Sequence, residues 1–169
     1  VVERNAVLVT TRAMAGFVSG KVQAIRGKPL PFCANPGGIT TVPAKEACSS
    51  RIDMGGVFVA QAEGASKGVE ITIVYASHVN DAPPALLSKE EQQGLKADGA
   101  IREYGPATGF VVKFTNGLVA YLSGDTGIHS EMKTVIHDFH KANLAVLNLG
   151  VNPGIFVSGK VASKEHDEF

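Results

Sequence analysis

The sequence predicts a mixed α/β domain, and three observations carry that expectation. Two apolar runs, Phe110 to Phe114 and Leu118 to Leu122, flank an Asn116-Gly117 pair, and Asn-Gly between strand-like runs is the strongest short-range hairpin signal. Upstream, Val69, Ile71, Ile73 and Tyr75 alternate with Glu70, Thr72, Val74 and Ala76, the period of a β-strand. Downstream, Ile128, Met132, Val135, Ile136 and Phe139 recur at helical spacing, one face of a helix that packs back on the sheet.

The remaining elements follow in chain order. Asn5 to Thr11 reads as a short buried strand. Met14, Phe17, Val18, Val22 and Ile25 then mark a helix that Gly27-Lys28-Pro29 stops. Pro29 to Gly56 reads as a long loop, rich in proline and glycine and containing both cysteines. Val57 to Ala60 is a short strand, and Ser88-Lys-Glu-Glu91 has capping-box spacing for a helix that closes near Asp98-Gly99. The hairpin turn is expected to be type I′, with positive φ at both central residues. Leu144 to Leu149 is the last strand, and residues 151–169 form an irregular polar tail.

A chain of 169 residues with 44% hydrophobic composition is a single-domain length that can bury a core. Sixteen basic residues balance sixteen acidic ones, which leaves no basic footprint for nucleic acid and no polybasic membrane patch. No apolar run approaches the ~20 residues needed to cross a bilayer. The chain begins Val1-Val2, so a trimmed product or a fragment is expected. Cys33 and Cys48 admit two readings. One is a disulfide contributing about 3 kcal/mol in an oxidising, exported (periplasmic) setting; the other is two buried thiols in a cytoplasmic protein. Their spacing carries no zinc or redox motif.

Chemistry is expected at two strand ends. His78 closes the strand Val69 to Tyr75, and Asp125 sits in the loop Ser123-Gly-Asp-Thr-Gly127 that follows the hairpin. Residues beyond strand ends are held by a rigid sheet yet project into a crevice, and imidazole nitrogen with carboxylate oxygen suits Zn²⁺, Mn²⁺ or Fe²⁺. The plainer reading is an edge histidine and a helix-capping aspartate. His129, four residues after Asp125, is within reach of a substrate or lies on the surface. His137 and His140 share a helix face with Lys133 and Lys141 and read as solvated. His166 falls in the charged tail. Ser77 and Ser123 lack the GxSxG setting of a serine nucleophile.

The run from Gly109 to Gly127, with the amphipathic helix and the strand Asn143 to Gly150 behind it, resembles the second half of a metallo-β-lactamase-fold hydrolase. It is most similar to the branch that includes L-ascorbate-6-phosphate lactonase. Asn35-Pro-Gly-Gly38 and Tyr75-Ala-Ser-His-Val-Asn80 resemble that branch's glycine turn and third metal-ligand motif. The resemblance implies an αββα sandwich, with His78 as a ligand of the first metal and Asp125 bridging two metals, Zn or Mn. It places Thr126 where it would orient Asp125, and puts Asn80 and His129 near a small-molecule substrate. The implied reaction is attack of a metal-activated water on an ester, lactone or phosphoester-like bond.

The family's H-x-H-x-D-H segment and its final histidine have no counterpart in this chain. The resemblance therefore implies a single partial domain over 1–169, missing its N-terminal sheet portion and C-terminal end. One sheet face would need a partner or a second copy to cover it. The alternative is a non-catalytic binding or structural protein that keeps the sheet without a complete metal centre.

Overall fold

The computed structural model describes residues 2–33 and 38–148. The Asn35-Pro36-Gly37 part of the glycine turn, the tail and His166 lie outside the described residues. Among the described residues eight strands and two α-helices follow in order: β1 (Val7–Leu8), α1 (Arg12–Arg26), β2 (Ile39–Val42), β3 (Cys48–Ser49), β4 (Val57–Ala62), β5 (Val69–Tyr75), α2 (Lys89–Asp98), β6 (Thr108–Lys113), β7 (Val119–Asp125) and β8 (Leu144–Asn148). Between β7 and β8 lies a π-helical segment, Met132–Phe139.

Local signals set most boundaries. Thr11 caps α1 by accepting from the Met14 amide, and Gly27 ends it at φ 76°. Ser88 and Glu91 form the reciprocal capping box of α2, which Gly99 closes at φ 62°. Two short elements occupy the stretch 29–56 that reads as loop: β-branched Ile39-Thr-Thr-Val42 becomes an edge strand, and Cys48–Ser49 pairs parallel with β1.

β2, β4, β5, β6, β7 and β8 form one mixed six-stranded sheet in that order. β4–β5, β5–β6 and β6–β7 are antiparallel, while β2–β4 and β7–β8 are parallel. β5, β7 and β8 consequently run the same way and end at one edge. The β6–β7 hairpin differs from a type I′ turn. The Gly117 amide donates to the Phe114 carbonyl at 3.1 Å and only Gly117 has positive φ, 92°. Thr115 and Asn116 are therefore the turn's centre, and glycine takes the left-handed position after it. Asn116 instead accepts the Leu118 amide through its side chain, 3.0 Å.

The pairing register puts Thr72, Val111 and Tyr121 side by side on one face. Val74, Val111 and Tyr121 meet Met132, Ile136 and Ala142 there in a buried cluster, with Ile128 and Val135 packed against it. Phe139, expected on that apolar stripe, is 75% exposed. The i→i+5 winding puts more residues in each turn than the ~3.6 of an α-helix. Seven positions beyond Met132, Phe139 has rotated off the buried face. Ile25 departs similarly at 84% exposure, because α1 buries Ala15 and Ser19 instead. On the sheet's other face Leu122, Leu144 and Val146 remain 39%, 45% and 53% exposed.

Candidate functional site

Asp125 reaches its position through an irregularity in the β7–β8 pairing between Leu122 and Asp125. Gly124 makes it possible. Its φ is 63°, and a Cβ there would lie 2.6 Å from the Thr108 carbonyl oxygen, so no side chain fits. The pairing resumes at Asp125 opposite Asn148. Asn148 donates from Nδ2 to Asp125 Oδ1 at 2.9 Å, while its own amide donates to the Ser123 hydroxyl at 3.0 Å. One carboxylate oxygen of Asp125 is thus oriented by a side chain 23 residues away in sequence.

His78 follows β5 and is exposed. Its Nδ1 lies 2.5 Å from the Val79 carbonyl oxygen. A carbonyl only accepts, so Nδ1 is the donor in this contact, and Nε2 is the ring nitrogen left for a metal when the ring is neutral. The two strand ends are stitched together next door: the Ser77 amide donates to Thr126 Oγ1 at 2.8 Å, and the Gly127 amide donates to the Ser77 carbonyl at 2.9 Å. His78 and Asp125 both line one open cleft of about 310 Å³.

Other expected site residues divide. Asn80 lines the cleft, but its amide donates to the Gly105 and Tyr104 carbonyls at 3.1 and 3.5 Å, pinning the loop before β6. Thr126 ties the loops through Ser77 and donates to the Gly127 carbonyl; the orienting contact on Asp125 belongs to Asn148. His129 packs edge-on against Tyr75, ring centroids 5.4 Å apart, and is not one of the residues that line the cleft. His137 pairs with neighbouring Asp138 at 2.8 Å. His140 is half-buried rather than solvated; burial, and then the charge of Lys113, hold its pKa below the ordinary value.

The sequence reading missed part of the lining. Thr10, Thr11 and Met14, at the start of α1, line the cleft with Asp81 and Thr108. Thr11 falls at the end of the expected strand Asn5 to Thr11, and nothing local says that it caps α1 beside the cleft. Among the described residues, no group of three or more histidine, cysteine, aspartate or glutamate side chains could hold a metal. The donor types at His78 and Asp125 suit a divalent transition metal, and two donors do not complete a centre.

No protein-family model matches the chain. Over 50 residues, 30% of this chain, it is 44% identical to a UPF0173 metal-dependent hydrolase of Methanosphaera stadtmanae. Part of the chain is similar to metal-dependent hydrolases. A second such protein, from Chloroflexus aurantiacus, is 27% identical over 95 residues, and a third, from Koribacter versatilis, 29% identical over 90. These cover 56% and 53% of this chain. The matched stretches span only 21%, 36% and 38% of the three relatives' lengths. Among solved structures, the metallo hydrolase Igni18 of the archaeon Ignicoccus hospitalis aligns over 88% of this chain and 54% of its own, with TM-score 0.43 and 19% identity. No helix among the described residues is long and apolar enough to cross a membrane.

Proposed function

We propose that this chain is the part of a metal-dependent hydrolase of metallo-β-lactamase architecture that carries His78 and Asp125, two ligands of a centre for Zn or Mn. The observation that carries this reading is the shared cleft, with both side chains on its lining and their strand ends joined through Ser77 and Thr126. The bond hydrolysed is of ester, lactone or phosphoester type. The names of the three partial relatives support the metal dependence. The remaining ligands come from polypeptide outside the described residues, since two donors are too few. No catalytic step is therefore written through a metal; the chain's own contribution is to hold an imidazole and a carboxylate at one rigid sheet edge. The Cys33–Cys48 disulfide supports placement in an oxidising compartment.

Metal analysis tests the reading. The 169-residue chain should retain little Zn or Mn, whereas an N-terminally extended polypeptide carrying the H-x-H-x-D-H segment should hold about two equivalents. Asp125→Asn or His78→Ala should lower that stoichiometry. A metal-free extended protein overturns the hydrolase and leaves the second reading, a non-catalytic relative.

A further inference from the structure

The small sheet that carries the disulfide runs directly into the Thr10-Thr11 part of the cleft lining. Cys48 and Ser49 pair with Val7 and Leu8 on one side, and Ser49 bridges Phe32 on the other. On that second side the Ser49 amide donates to the Pro31 carbonyl at 2.9 Å, and the Cys33 amide donates to the Ser49 carbonyl at 3.0 Å. The Cys33–Cys48 disulfide closes this side covalently. Past Cys48 the same segment grips the cleft wall. The Ser50 amide donates to the Leu8 carbonyl at 2.8 Å, the Thr10 amide to the Ser50 hydroxyl at 3.0 Å, and the Ile52 amide to the Thr10 carbonyl at 3.4 Å. Thr11 pairs with Ile52, lines the cleft beside Thr10, and caps α1.

The covalent tie outweighs any one of these hydrogen bonds. A single net hydrogen bond is worth about a fivefold change in a local equilibrium, whereas closing a loop of roughly 15 residues by a disulfide is worth about a hundredfold. The strands involved are two residues long, so few hydrogen bonds remain to hold them if the covalent tie is lost. β4 through β8 contain no cysteine and pair independently of it.

We propose that the Cys33–Cys48 disulfide is a redox latch on this cleft. Oxidised, it fixes segment 48–52 and, through it, Thr10, Thr11 and the first turn of α1, which line the cleft with His78 and Asp125. Reduced, that wall loosens while β4 to β8 stay paired. The inference rests on the cleft's geometry and holds whether or not a metal binds there. The reaction is a two-electron exchange with a dithiol reductant. A reductant thiolate attacks the Sγ of Cys33, the less buried of the pair; the S–S bond breaks, and Cys48 leaves as a thiolate that takes a proton. The reductant's second thiolate then displaces Cys33 from the mixed disulfide, Cys33 takes a proton, and the reductant ends as its own disulfide.

Amide hydrogen exchange on the 169-residue chain, read by NMR with and without dithiothreitol, tests the latch. Reduction should lower protection at Thr10, Ser50 and Ile52 about 100-fold, and move the methyl resonance of Met14. Protection at Thr72, Val111 and Tyr121 should stay unchanged. Cys33→Ser should show the reduced pattern without reductant, with dithiothreitol adding nothing; should that variant fail to fold, reduction of the wild-type chain decides alone. Unaltered protection at Thr10, Ser50 and Ile52 overturns the proposal. So does an equal loss at Thr72, Val111 and Tyr121, which would mean that the disulfide holds the whole domain.

Discussion

The Ser77 amide donates to the Thr126 hydroxyl across 2.8 Å and joins the ends of β5 and β7, 49 residues apart in sequence. This bond sets the spacing between the His78 and Asp125 loops. Thr126→Val leaves the Ser77 N–H without its acceptor, at a cost of about 1–3 kcal/mol. The expected result is a lower urea midpoint with unchanged m-value, while Thr126→Ser keeps the hydroxyl and stays near wild type. Equal midpoints for valine and serine variants would show that the bond contributes nothing.

Asn148 orients Asp125 through a 2.9 Å hydrogen bond to Oδ1. Partners of this kind fix a ligand's rotamer and commonly govern affinity by about 10–100-fold. In the N-terminally extended protein, Asn148→Ala should weaken Zn binding by that factor, measured by competition with a chromophoric chelator. Unchanged affinity removes the orienting role.

Two neighbours on the π-helical segment separate packing from exposure. Ile136 is 1% exposed within the core cluster, so Ile136→Ala should destabilise the chain by about 2–5 kcal/mol. Phe139→Ala, on the exposed side, should fall within about 0.5 kcal/mol of wild type. A comparable loss for both in urea unfolding would mean that Phe139 packs against something in solution.

His140 makes stability depend on pH. Burial first, and the nearby Lys113 charge second, lower its pKa in the folded chain. The unfolded chain, with an ordinary value of about 6.5, therefore takes up the proton first as pH falls. The neutral ring's contribution is fully present above about pH 6.5 and is lost as pH drops from there through the folded pKa. Urea midpoints at pH 7.5 and 5 should show this decline, and His140→Gln should flatten it; an equally steep decline in the variant would assign it to other groups.

The sequence by itself determined what depends on neighbours along the chain. Alternation placed β5, the Asn116-Gly117 pair placed the hairpin, Ser88 stands at a helix start, and turn residues after two strands marked His78 and Asp125. Tertiary structure decided what meets at the sheet edge. Strand order β5-β6-β7-β8 and strand direction bring the ends of β5, β7 and β8 together, so Asn148 reaches Asp125 and Thr126 reaches Ser77. The same is true of Thr10 and Thr11, which follow a two-residue parallel pairing onto the cleft lining. Periodicity also misplaced Phe139, because hydrophobic spacing reports a face only for the winding it assumes. Local free-energy preferences act over a few residues, whereas these contacts span tens of residues and exist only once the whole sheet has chosen its register.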